Sequence, residues 1–452
     1  MTRYLVVGAG MAAVASARVL LEAGNAVVVV DRSASGALDD LASAGAEVVI
    51  ADPAPLSLLD GIDEVIVSPG VAPHHSLAAA AVAAGIDVYS EPELAWRLRG
   101  PDAPPWLAIT GTNGKTTTVT MVASILRAAG HRPAALGNIG VPLVTLSPGD
   151  FDVLAVELSS FQIHWSSQLA PPIAAILNLA DDHLEWHLTF DAYAGAKFEI
   201  WRAANAGAGL AIGNLDDARV AEALGKVSGE TIGFTLARPK PGEFGIEDGW
   251  LVDHAGAAPI RLIEAARIRP AGTHNVANAL AAAAITRAYG VSAEAVHDGL
   301  ANYVPEPHRN APVADVAGVR YVDDSKATNP HAAFGSLLAY PSIVWVAGGQ
   351  LKGVDVNDLV AAVAPRLRGA VLLGVDRAEI AAALARHAPE VPVVDVANTD
   401  DEAMSIAVRA AASLAEAGDT VLLAPAAASK DMFTSYAARG NAFVDAVGAL
   451  SA

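Results

Sequence analysis

The chain has 452 residues, which is enough for about three domains of ordinary size. It carries 29 Lys and Arg against 49 Asp and Glu, and a surface with a net charge of -20 repels nucleic acid and anionic membranes. Cysteine is absent, which excludes disulfides, thiolate metal sites and thiol nucleophiles. We therefore expect a cytoplasmic protein that has no nucleic-acid partner, does not insert into a membrane and holds anionic ligands with local basic groups.

The N-terminal segment predicts a βαβ unit. A strand over residues 4–7 leads into the turn Gly8-Ala-Gly-Met-Ala-Ala13, then a helix, then a second strand that ends at Asp31. The glycines also interrupt an apolar run that would otherwise resemble a signal peptide. The pattern is typical of dinucleotide binding, but NAD, FAD and another nucleotide diphosphate are all compatible with it. Further strands are predicted at 47–51, 64–67 and 87–89, and the Gly- and Pro-rich segment 100–105 marks a domain boundary.

The most informative stretch runs from Leu107 to Thr118. A short apolar strand enters a turn bounded by Gly111 and Gly114, followed by Lys115, three threonines and a helical pattern over residues 119–129. Backbone N–H groups and the positive helix end favour a phosphate there, the lysine adds a charge, and Thr116 can place its hydroxyl on magnesium. The strict Walker A pattern is not met, because its first glycine falls on an isoleucine. We nevertheless interpret this stretch as a phosphate-binding loop.

Two later strands deliver polar residues at their carboxyl ends. The strand over 152–156 is followed by Glu157-Leu-Ser-Ser-Phe-Gln162, and the strand over 173–179 by Asp181-Asp-His183. Ligands of α/β proteins lie at such strand ends, and carboxylate oxygens suit magnesium. Zinc is disfavoured because His183 and His187, although four residues apart, are expected to lie in a loop.

The rest of the chain predicts a region of short strands followed by a second α/β pattern. Residues 207–272, with strands at 231–236 and 249–252, receive no site, and Asn275 opens an alanine-rich helix that extends to 289. Segment 305–309 marks the second boundary. Strands are then predicted at 321–323, 343–346, 370–373, 393–396 and 420–423. Polar clusters follow three of them: Asp324-Ser-Lys-Ala-Thr-Asn329, Gly348-Gly-Gln-Leu-Lys352 and Ser429-Lys-Asp431.

These motifs together resemble the muramyl ligases of peptidoglycan synthesis, and the resemblance covers essentially the whole chain. It is carried by Thr110-Gly-Thr-Asn-Gly-Lys-Thr-Thr117, Glu157 with Ser159-Ser-Phe-Gln162, Asp182-His183, His274-Asn275 and His308-Arg309, in the family order. The cluster 324–329 is the most specific and resembles the D-glutamate-adding members, whereas the Asp-Asn-Pro-Arg motif expected of diaminopimelate-adding members does not occur. Folylpolyglutamate synthases share the loop but are not expected to carry the N-terminal nucleotide-binding domain.

The resemblance implies an α/β protein of three domains. These are an N-terminal Rossmann-like UDP-binding domain over residues 1–100, a central P-loop-type ATPase domain over 101–306 and a C-terminal Rossmann-like amino-acid-binding domain over 307–452. It further implies an ATP-dependent amide ligase that adds D-glutamate to UDP-N-acetylmuramoyl-L-alanine through an acyl phosphate. ATP and Mg²⁺ are the implied cofactors, and a cytoplasmic monomer is expected.

The resemblance also assigns residues to each ligand. Catalytic roles fall to Lys115, Glu157, His183 and Lys197, and metal binding to Thr116, Glu157, His183 and Lys197. ATP is assigned to Gly111, Thr112, Asn113, Gly114, Lys115, Thr116, Thr117, Asn275, Arg309 and Asp324. The sugar nucleotide is assigned to Gly10, Met11, Asp31, Arg32, Asn138, Ser159 and Gln162, and D-glutamate to Lys326, Thr328, Lys352, Ser429 and Tyr436. Gln350 and Tyr436 stand where some relatives have an acidic residue and Phe, respectively.

Lys197 is expected to be carbamylated. Its segment, Tyr193-Ala-Gly-Ala-Lys-Phe-Glu-Ile200, resembles the part of the ligases that carries the modified lysine. A carbamate would offer magnesium two oxygens and a negative charge, and its formation needs the neutral amine that positive surroundings favour. The alternative for this position is a solvated helix lysine.

Two other functions are compatible with parts of the chain. An NAD-dependent oxidoreductase would use the N-terminal turn but would leave the phosphate loop unexplained. A non-catalytic nucleotide sensor would not need Lys115, Glu157 and His183 together.

Overall fold

The computed structural model describes residues 1–147, 149–397 and 402–450, and within them the strands form three β-sheets. The chain divides into two compact units, one of Met1–Ala265 with Asn278–Asn302, the other of Ala266–Ala277 with Tyr303–Ala452. In the described ranges, the helices are too short or too polar to cross a membrane. The domain limits at 100/101 and 306/307 stay predictions.

The N-terminal sheet has five parallel strands in the order β3-β2-β1-β4-β5. Its elements are β1 Arg3–Val7, α1 Met11–Glu22, β2 Ala26–Asp31, α2 Gly36–Ser43, β3 Glu47–Ile50, β4 Glu64–Val67, α3 Ser76–Ala83, β5 Asp87–Tyr89 and α4 Glu91–Leu98. The valine-rich central strands are buried on both faces, with one apolar cluster on each side of the sheet. The strands predicted at 64–67 and 87–89 are confirmed, and the one at 47–51 ends one residue earlier.

The central sheet has nine strands in the order β14-β13-β12-β11-β10-β9-β6-β8-β7, and it is parallel except where β13 pairs with β12 and β14. Its first half contains β6 Trp106–Thr110, α5 Lys115–Ala128, β7 Pro133–Gly137, β8 Val153–Glu157, α6 Ser160–His164, β9 Ile173–Ile176, α7 Leu184–His187, α8 Phe190–Phe198 and α9 Arg202–Asn205. Its second half contains β10 Leu210–Asn214, α10 Ala218–Leu224, β11 Glu230–Phe234, β12 Glu243–Glu247, β13 Trp250–Asp253, β14 Ile260–Glu264, α11 Thr273–Ala288 and α12 Ala293–Ala301.

Two local expectations for this part are wrong. The helix after the phosphate loop begins at Lys115 and not at residue 119, because Gly114, with φ +83°, already ends the turn and the threonines form the first helical turn. The region 207–272 also contains a helix, α10, whose first turn is capped by the Asp217 carboxylate through the N–H groups of Arg219 and Val220.

The C-terminal sheet has six strands in the order β15-β16-β20-β17-β18-β19, parallel except for the hairpin of β15 and β16. Its elements are β15 Ala311–Val316, β16 Val319–Asp323, α13 Pro330–Leu337, β17 Ile343–Gly348, α14 Asn357–Val363, β18 Leu367–Leu373, α15 Arg377–His387, β19 Val393–Asp395, α16 Ala403–Leu414, β20 Thr420–Leu423 and α17 Tyr436–Gly448. The predicted strand at 420–423 is confirmed. The sheet begins earlier in the chain than predicted, because strand β15 precedes residue 320 and was not predicted.

The strand order of the central sheet positions the candidate site. Strand β6 lies between β8 and β9, with Ile109 beside Glu157 and Thr110 beside Ile176. The phosphate loop therefore leaves the sheet between the two strand ends that carry the predicted polar residues.

Candidate active site

The phosphate loop is held in one conformation by close packing at Gly114. A Cβ atom there would lie 2.3 Å from Oδ1 of Asn278, so a larger residue would displace that side chain, and the positive φ independently favours glycine. Lys115 Nζ donates hydrogen bonds to the carbonyl oxygens of Gly111 and Thr112, both at 2.8 Å. The lysine ammonium thus lies over the loop where a bound phosphate would need positive charge.

Glu157 is hydrogen-bonded to two other predicted residues, Thr116 and Asn138. Its side chain is almost fully buried, Oε2 accepts from Thr116 Oγ1 at 2.7 Å, and Oε1 accepts from Asn138 Nδ2 at 2.9 Å. The Asn138 N–H also donates to the Glu157 carbonyl oxygen at 2.8 Å. The hydroxyl and carboxylate oxygens assigned to a metal are therefore neighbours, and Asn138 fixes the carboxylate.

Lys197 is buried beneath the same loop, with 2% of its surface exposed. Its Nζ donates to the Gly111 carbonyl oxygen at 2.9 Å and to Thr110 Oγ1 at 3.3 Å. Burial, helped by the charge of Lys115, holds the pKa of Lys197 well below its usual range, although Asp182 and Glu157 act in the opposite direction. The alternative of a solvated helix lysine is wrong for this position.

Tyr193 and Asn178 also support the loop, and no role was predicted for Asn178. The Tyr193 hydroxyl lies 2.8 Å from Thr112 Oγ1, which in turn accepts the Ala180 N–H at 2.9 Å. Asn178 hydrogen-bonds the backbone of Asn113 through its carboxamide. Asn178 was missed because it falls inside the predicted strand 173–179, whereas β9 ends at Ile176.

The expectation that His183 and His187 share a loop is wrong. Leu184–His187 forms a short helix, α7, and His183 precedes it with φ 55°. His183 is 44% exposed and lies 3.5 Å from Asp182, whereas His187 is buried with Nε2 2.9 Å from Ser160 Oγ. Burial, with the nearby charges of His164 and Lys197, lowers the pKa of His187 to about 4. The two imidazoles thus have separate environments and do not form a zinc pair.

Ser159 and Gln162 form a capping box at the start of α6. Gln162 N donates to Ser159 Oγ at 3.2 Å, and Ser159 N donates to Gln162 Oε1 at 2.9 Å. Gln162 is 3% exposed, and its side-chain oxygen Oε1 is used at the start of this helix.

In the described residues, no group of three or more His, Cys, Asp or Glu side chains is arranged to hold a metal ion.

The N-terminal turn borders a cavity of about 550 Å³. Gly8 has φ +94°, and a Cβ there would lie 2.8 Å from the Ser68 Cβ, so the turn requires glycine. Asp31 Oδ2 accepts the Ala9 N–H at 2.7 Å, and Oδ1 accepts the Ser33 N–H at 3.1 Å. The other predicted residues of this site, Gly10 and Arg32, line the cavity, and Met11 is 73% exposed.

Three residues of the second unit are predicted to bind ATP, and one of them, Asp324, is buried. It accepts hydrogen bonds from Asn310 N at 3.0 Å and from Ser336 Oγ, and burial raises its pKa to about 6. Arg309 lies 3.4 Å from Glu306, and Asn275 Nδ2 donates to the Ala271 carbonyl oxygen at 3.2 Å.

The predicted D-glutamate residues occupy several loops of the C-terminal sheet. Lys326 Nζ lies 4.0 Å from the centre of the Tyr436 ring, and Thr328 N donates to the Lys326 carbonyl oxygen at 2.8 Å. Ser429 is buried and Lys352 is exposed with φ 56°. Gln350 pairs through its backbone with Ala428.

Arg439 is a second residue that the sequence did not indicate. It is 1% exposed and donates hydrogen bonds to Ser325 Oγ and to the carbonyl oxygens of Ser325, Gly348 and Ala427. One buried guanidinium thereby links the segments that follow β16 and β20 to the end of β17. An arginine inside helix α17 gave no signal, because helical arginines are usually exposed.

Three domain families match the chain in consecutive segments. The family described as Mur ligase MurD-like, N-terminal domain, matches residues 2–90. Mur ligase middle domain matches residues 109–286, and Mur ligase, glutamate ligase domain, matches residues 308–427.

Curated relatives match over nearly the full length. A protein of Streptomyces avermitilis named UDP-N-acetylmuramoylalanine--D-glutamate ligase is 50% identical over 459 residues, covering 99% of this chain and 98% of its own. The protein of the same name from Thermobifida fusca is 50% identical over 468 residues, with 99% and 98% covered.

Solved structures show the same fold at low identity. MurF from Acinetobacter baumannii has a TM-score of 0.60 at 21% identity, covering 92% of this chain and 89% of its own. UDP-N-acetylmuramate-alanine ligase MurC from Thermotoga maritima has a TM-score of 0.59 at 18% identity, with 100% of both chains covered.

Proposed function

The chain belongs to the Mur ligase family, and from this membership we propose that it joins D-glutamate to UDP-N-acetylmuramoyl-L-alanine in the cytoplasm. Its reaction is an ATP-dependent ligation in peptidoglycan precursor synthesis. The choice of D-glutamate is supported by the names of relatives that are about half identical over the whole chain. The observation that carries the proposal in the molecule itself is the buried Thr116–Glu157 pair beside the phosphate loop, whose carboxylate is hydrogen-bonded by Asn138.

We assign ATP to the phosphate loop and to the residues of the second unit that resemble family ATP contacts. Gly111, Thr112, Asn113, Gly114, Lys115, Thr116 and Thr117 form the loop and the first turn of α5, and Asn275, Arg309 and Asp324 are the others. The start of α5 presents N–H groups that lack acceptors within the helix. Lys115 adds a full positive charge at the same place, which a chain of net charge -20 needs for an anionic ligand.

The residues beside the loop fit a magnesium ion. The Thr116 hydroxyl and the Glu157 carboxylate are hard oxygen donors only 2.7 Å apart, and both are buried. His183 and a carbamylated Lys197 complete the proposed metal set. The low pKa of Lys197 keeps a larger share of its amine neutral, which is the form that reacts with carbon dioxide. When bound, Mg²⁺ would supply the neutralisation of phosphate charge that phosphoryl transfer requires.

Amide synthesis requires that the L-alanyl carboxylate be made electrophilic before the amine attacks. Phosphorylation converts it to an acyl phosphate, and the amine of D-glutamate then forms the C–N bond while the C–O bond to phosphate breaks. Lys115 stabilises charge on the transferring group, and the loop fixes its position. Asn138 holds Glu157 by a 2.9 Å hydrogen bond, so the metal-binding carboxylate does not need to reorganise.

The sugar nucleotide and D-glutamate are assigned to residues of different sheets. The cavity beside Gly10, Asp31 and Arg32 suits the uridine diphosphate, since the turn into α1 directs the helix N-terminus towards it. The sugar part of that substrate is assigned to Asn138, Ser159 and Gln162. Met11 is assigned to the rim of the cavity. D-Glutamate is assigned to Lys326, Thr328, Lys352, Ser429 and Tyr436, where two lysines can balance its carboxylates. A monomer is expected.

The proposal is tested by measuring phosphate release from ATP in the presence of UDP-N-acetylmuramoyl-L-alanine and one amino acid at a time. We expect release with D-glutamate and background release with L-glutamate, L-alanine and diaminopimelate. Release with another amino acid would refute the substrate assignment. Tight binding of NAD with no response to ATP would instead favour the oxidoreductase that the N-terminal turn also allows.

A further inference from the structure

Asn178 lies just beyond β9 and directs its side chain onto the phosphate loop. Its Oδ1 accepts a hydrogen bond from Asn113 N at 2.8 Å, and its Nδ2 donates to the Asn113 carbonyl oxygen at 3.0 Å. Its own carbonyl oxygen accepts from Thr112 N at 2.9 Å. One residue therefore makes three hydrogen bonds to two consecutive loop residues.

This contact decides which amides of the loop can meet an anion. The N–H groups of Thr112 and Asn113 are both used inside the protein, by Asn178. The amides that follow belong to the first turn of α5, where helical geometry provides no acceptor and the helix dipole favours negative charge. A phosphate is accordingly directed to the start of α5, beside Lys115 and Thr116.

We propose that Asn178 is a positioning residue for the nucleotide phosphates, which it serves by fixing the conformation of the phosphate loop. It acts through the Asn113 backbone and does not itself contact the nucleotide. The inference rests on the proposed ATP site and adds a residue to it that neither the motifs nor the resemblance had indicated.

The packing around the loop supports a specific need for a carboxamide. A Cβ atom at Gly111 would lie 3.0 Å from the Leu177 Cβ and 3.3 Å from the Asn178 nitrogen, so the loop rests directly on this segment. Replacing Asn178 by an apolar residue would leave the Asn113 N–H and C=O groups without these partners at the same time. The loss of two hydrogen bonds that hold the Asn113 backbone favours a rearranged loop over the present one.

Asn214 provides a matched control. It ends β10, the strand next to β9, and is likewise an asparagine with two side-chain hydrogen bonds. Its Nδ2 donates to the Leu177 carbonyl oxygen at 2.8 Å, and its Oδ1 accepts from Asp216 N at 2.9 Å. Asn214→Ala thus removes the same chemical group near the same segment while leaving the contacts of Asn113 in place.

The experiment compares the full-length wild type, Asn178→Ala and Asn214→Ala by calorimetric titration with ADP in the presence of Mg²⁺. Hydrogen exchange of the peptide that spans residues 107–118 is measured without ligand. We expect Asn178→Ala to bind ADP about ten-fold or more weakly, since two hydrogen bonds that order the loop are lost. Its loop peptide should exchange faster, while its affinity for UDP-N-acetylmuramoyl-L-alanine stays that of the wild type. Asn214→Ala should match the wild type in all three measurements.

The possible results separate this inference from the proposed function. Wild-type ADP affinity in Asn178→Ala, or an equal loss of both ligands' affinities, would refute a positioning role. Failure of the wild type to bind ADP at all would refute the proposed ATP site itself. If Asn178→Ala does not fold, Asn178→Asp keeps the side-chain volume and the acceptor for Asn113 N but loses the donor. Because the aspartate also repels phosphate by its charge, the deciding measurement for that variant is exchange of the peptide 107–118 without ligand: faster exchange supports the inference, and wild-type exchange refutes it.

Discussion

Lys197 Nζ lies 2.9 Å from the Gly111 carbonyl oxygen, inside the protein and directly beneath the phosphate loop. A buried ammonium so close to Lys115 is disfavoured, which is why the pKa of Lys197 falls well below its usual range. The same position, close to Glu157 and Asp182, would bring a carbamate next to the proposed metal ligands.

We predict that Lys197→Ala loses nearly all ligase activity and still folds. The reason is the loss of two anionic oxygens from the metal set, which a short carboxylic acid added to the solution should partly replace. Activity is measured with and without acetate or formate, and folding by thermal unfolding. Lys226→Ala, which changes a lysine that is 72% exposed, is the control and should keep full activity. Full activity in Lys197→Ala would contradict the metal-ligand role.

Lys115→Ala should abolish ligation and leave binding of the sugar nucleotide intact. The lysine hydrogen-bonds Gly111 and Thr112 of the loop, whereas the sugar nucleotide is assigned chiefly to the cavity beside Asp31. Calorimetry with each ligand separately checks this expectation. A folded variant that no longer binds the sugar nucleotide would show that the two sites have been assigned wrongly.

Asp31→Ala should raise the Michaelis constant for the sugar nucleotide on the order of ten-fold and leave that for ATP nearly unchanged. The structure adds a reason, because the Asp31 carboxylate holds the Ala9 N–H at 2.7 Å and thereby the turn that borders the cavity. Asp31→Asn keeps an acceptor for this N–H and removes the charge. If the turn is what matters, the asparagine variant should resemble the wild type. Equal increases for both substrates would indicate general misfolding.

Glu91 should make the free energy of unfolding depend on pH. Burial raises the pKa of Glu91 to about 7 from its ordinary 4.5, even though the carboxylate accepts the Val144 N–H. The folded protein thus holds this proton more tightly, so the stabilisation is present below pH 4.5 and is lost as the pH rises towards 7. Between about pH 5 and about pH 8, the wild type should lose about 2 to 3 kcal/mol relative to Glu91→Gln. Denaturant unfolding of both proteins measures this, and a pH-independent difference would contradict it.

Much of the fold followed from local pattern. Strands such as β4 and β20 are short runs of Val, Ile and Leu between turn residues, and their limits agree with the expectation. Strand β7 was missed because Pro133–Gly137 contains no β-branched residue, and β15 because its proline and alternating small residues resemble a loop. Both are defined by pairing with a later strand, β7 with β8 and β15 with β16, and this pairing is not visible in the residues of the strand itself.

The candidate site was predictable where chemistry and strand ends coincide. Thr116 and Glu157 meet because β6 and β8 are neighbours, and the motif already named both residues. Asn178 and Arg439 were not predictable, because each acts on backbone atoms of residues far away in the sequence. Only the folded chain shows which carbonyl and N–H groups such side chains reach.

Ligation of D-glutamate through an acyl phosphate can be followed with UDP-N-acetylmuramoyl-L-alanine carrying oxygen-18 in its alanyl carboxylate. The enzyme, ATP and Mg²⁺ are mixed with D-glutamate, and both the phosphate and the sugar product are analysed by mass spectrometry. We expect one labelled oxygen in the released phosphate and a product heavier by one glutamyl residue, with L-glutamate giving neither. Unlabelled phosphate, or a product formed with L-glutamate in place of D-glutamate, would contradict it.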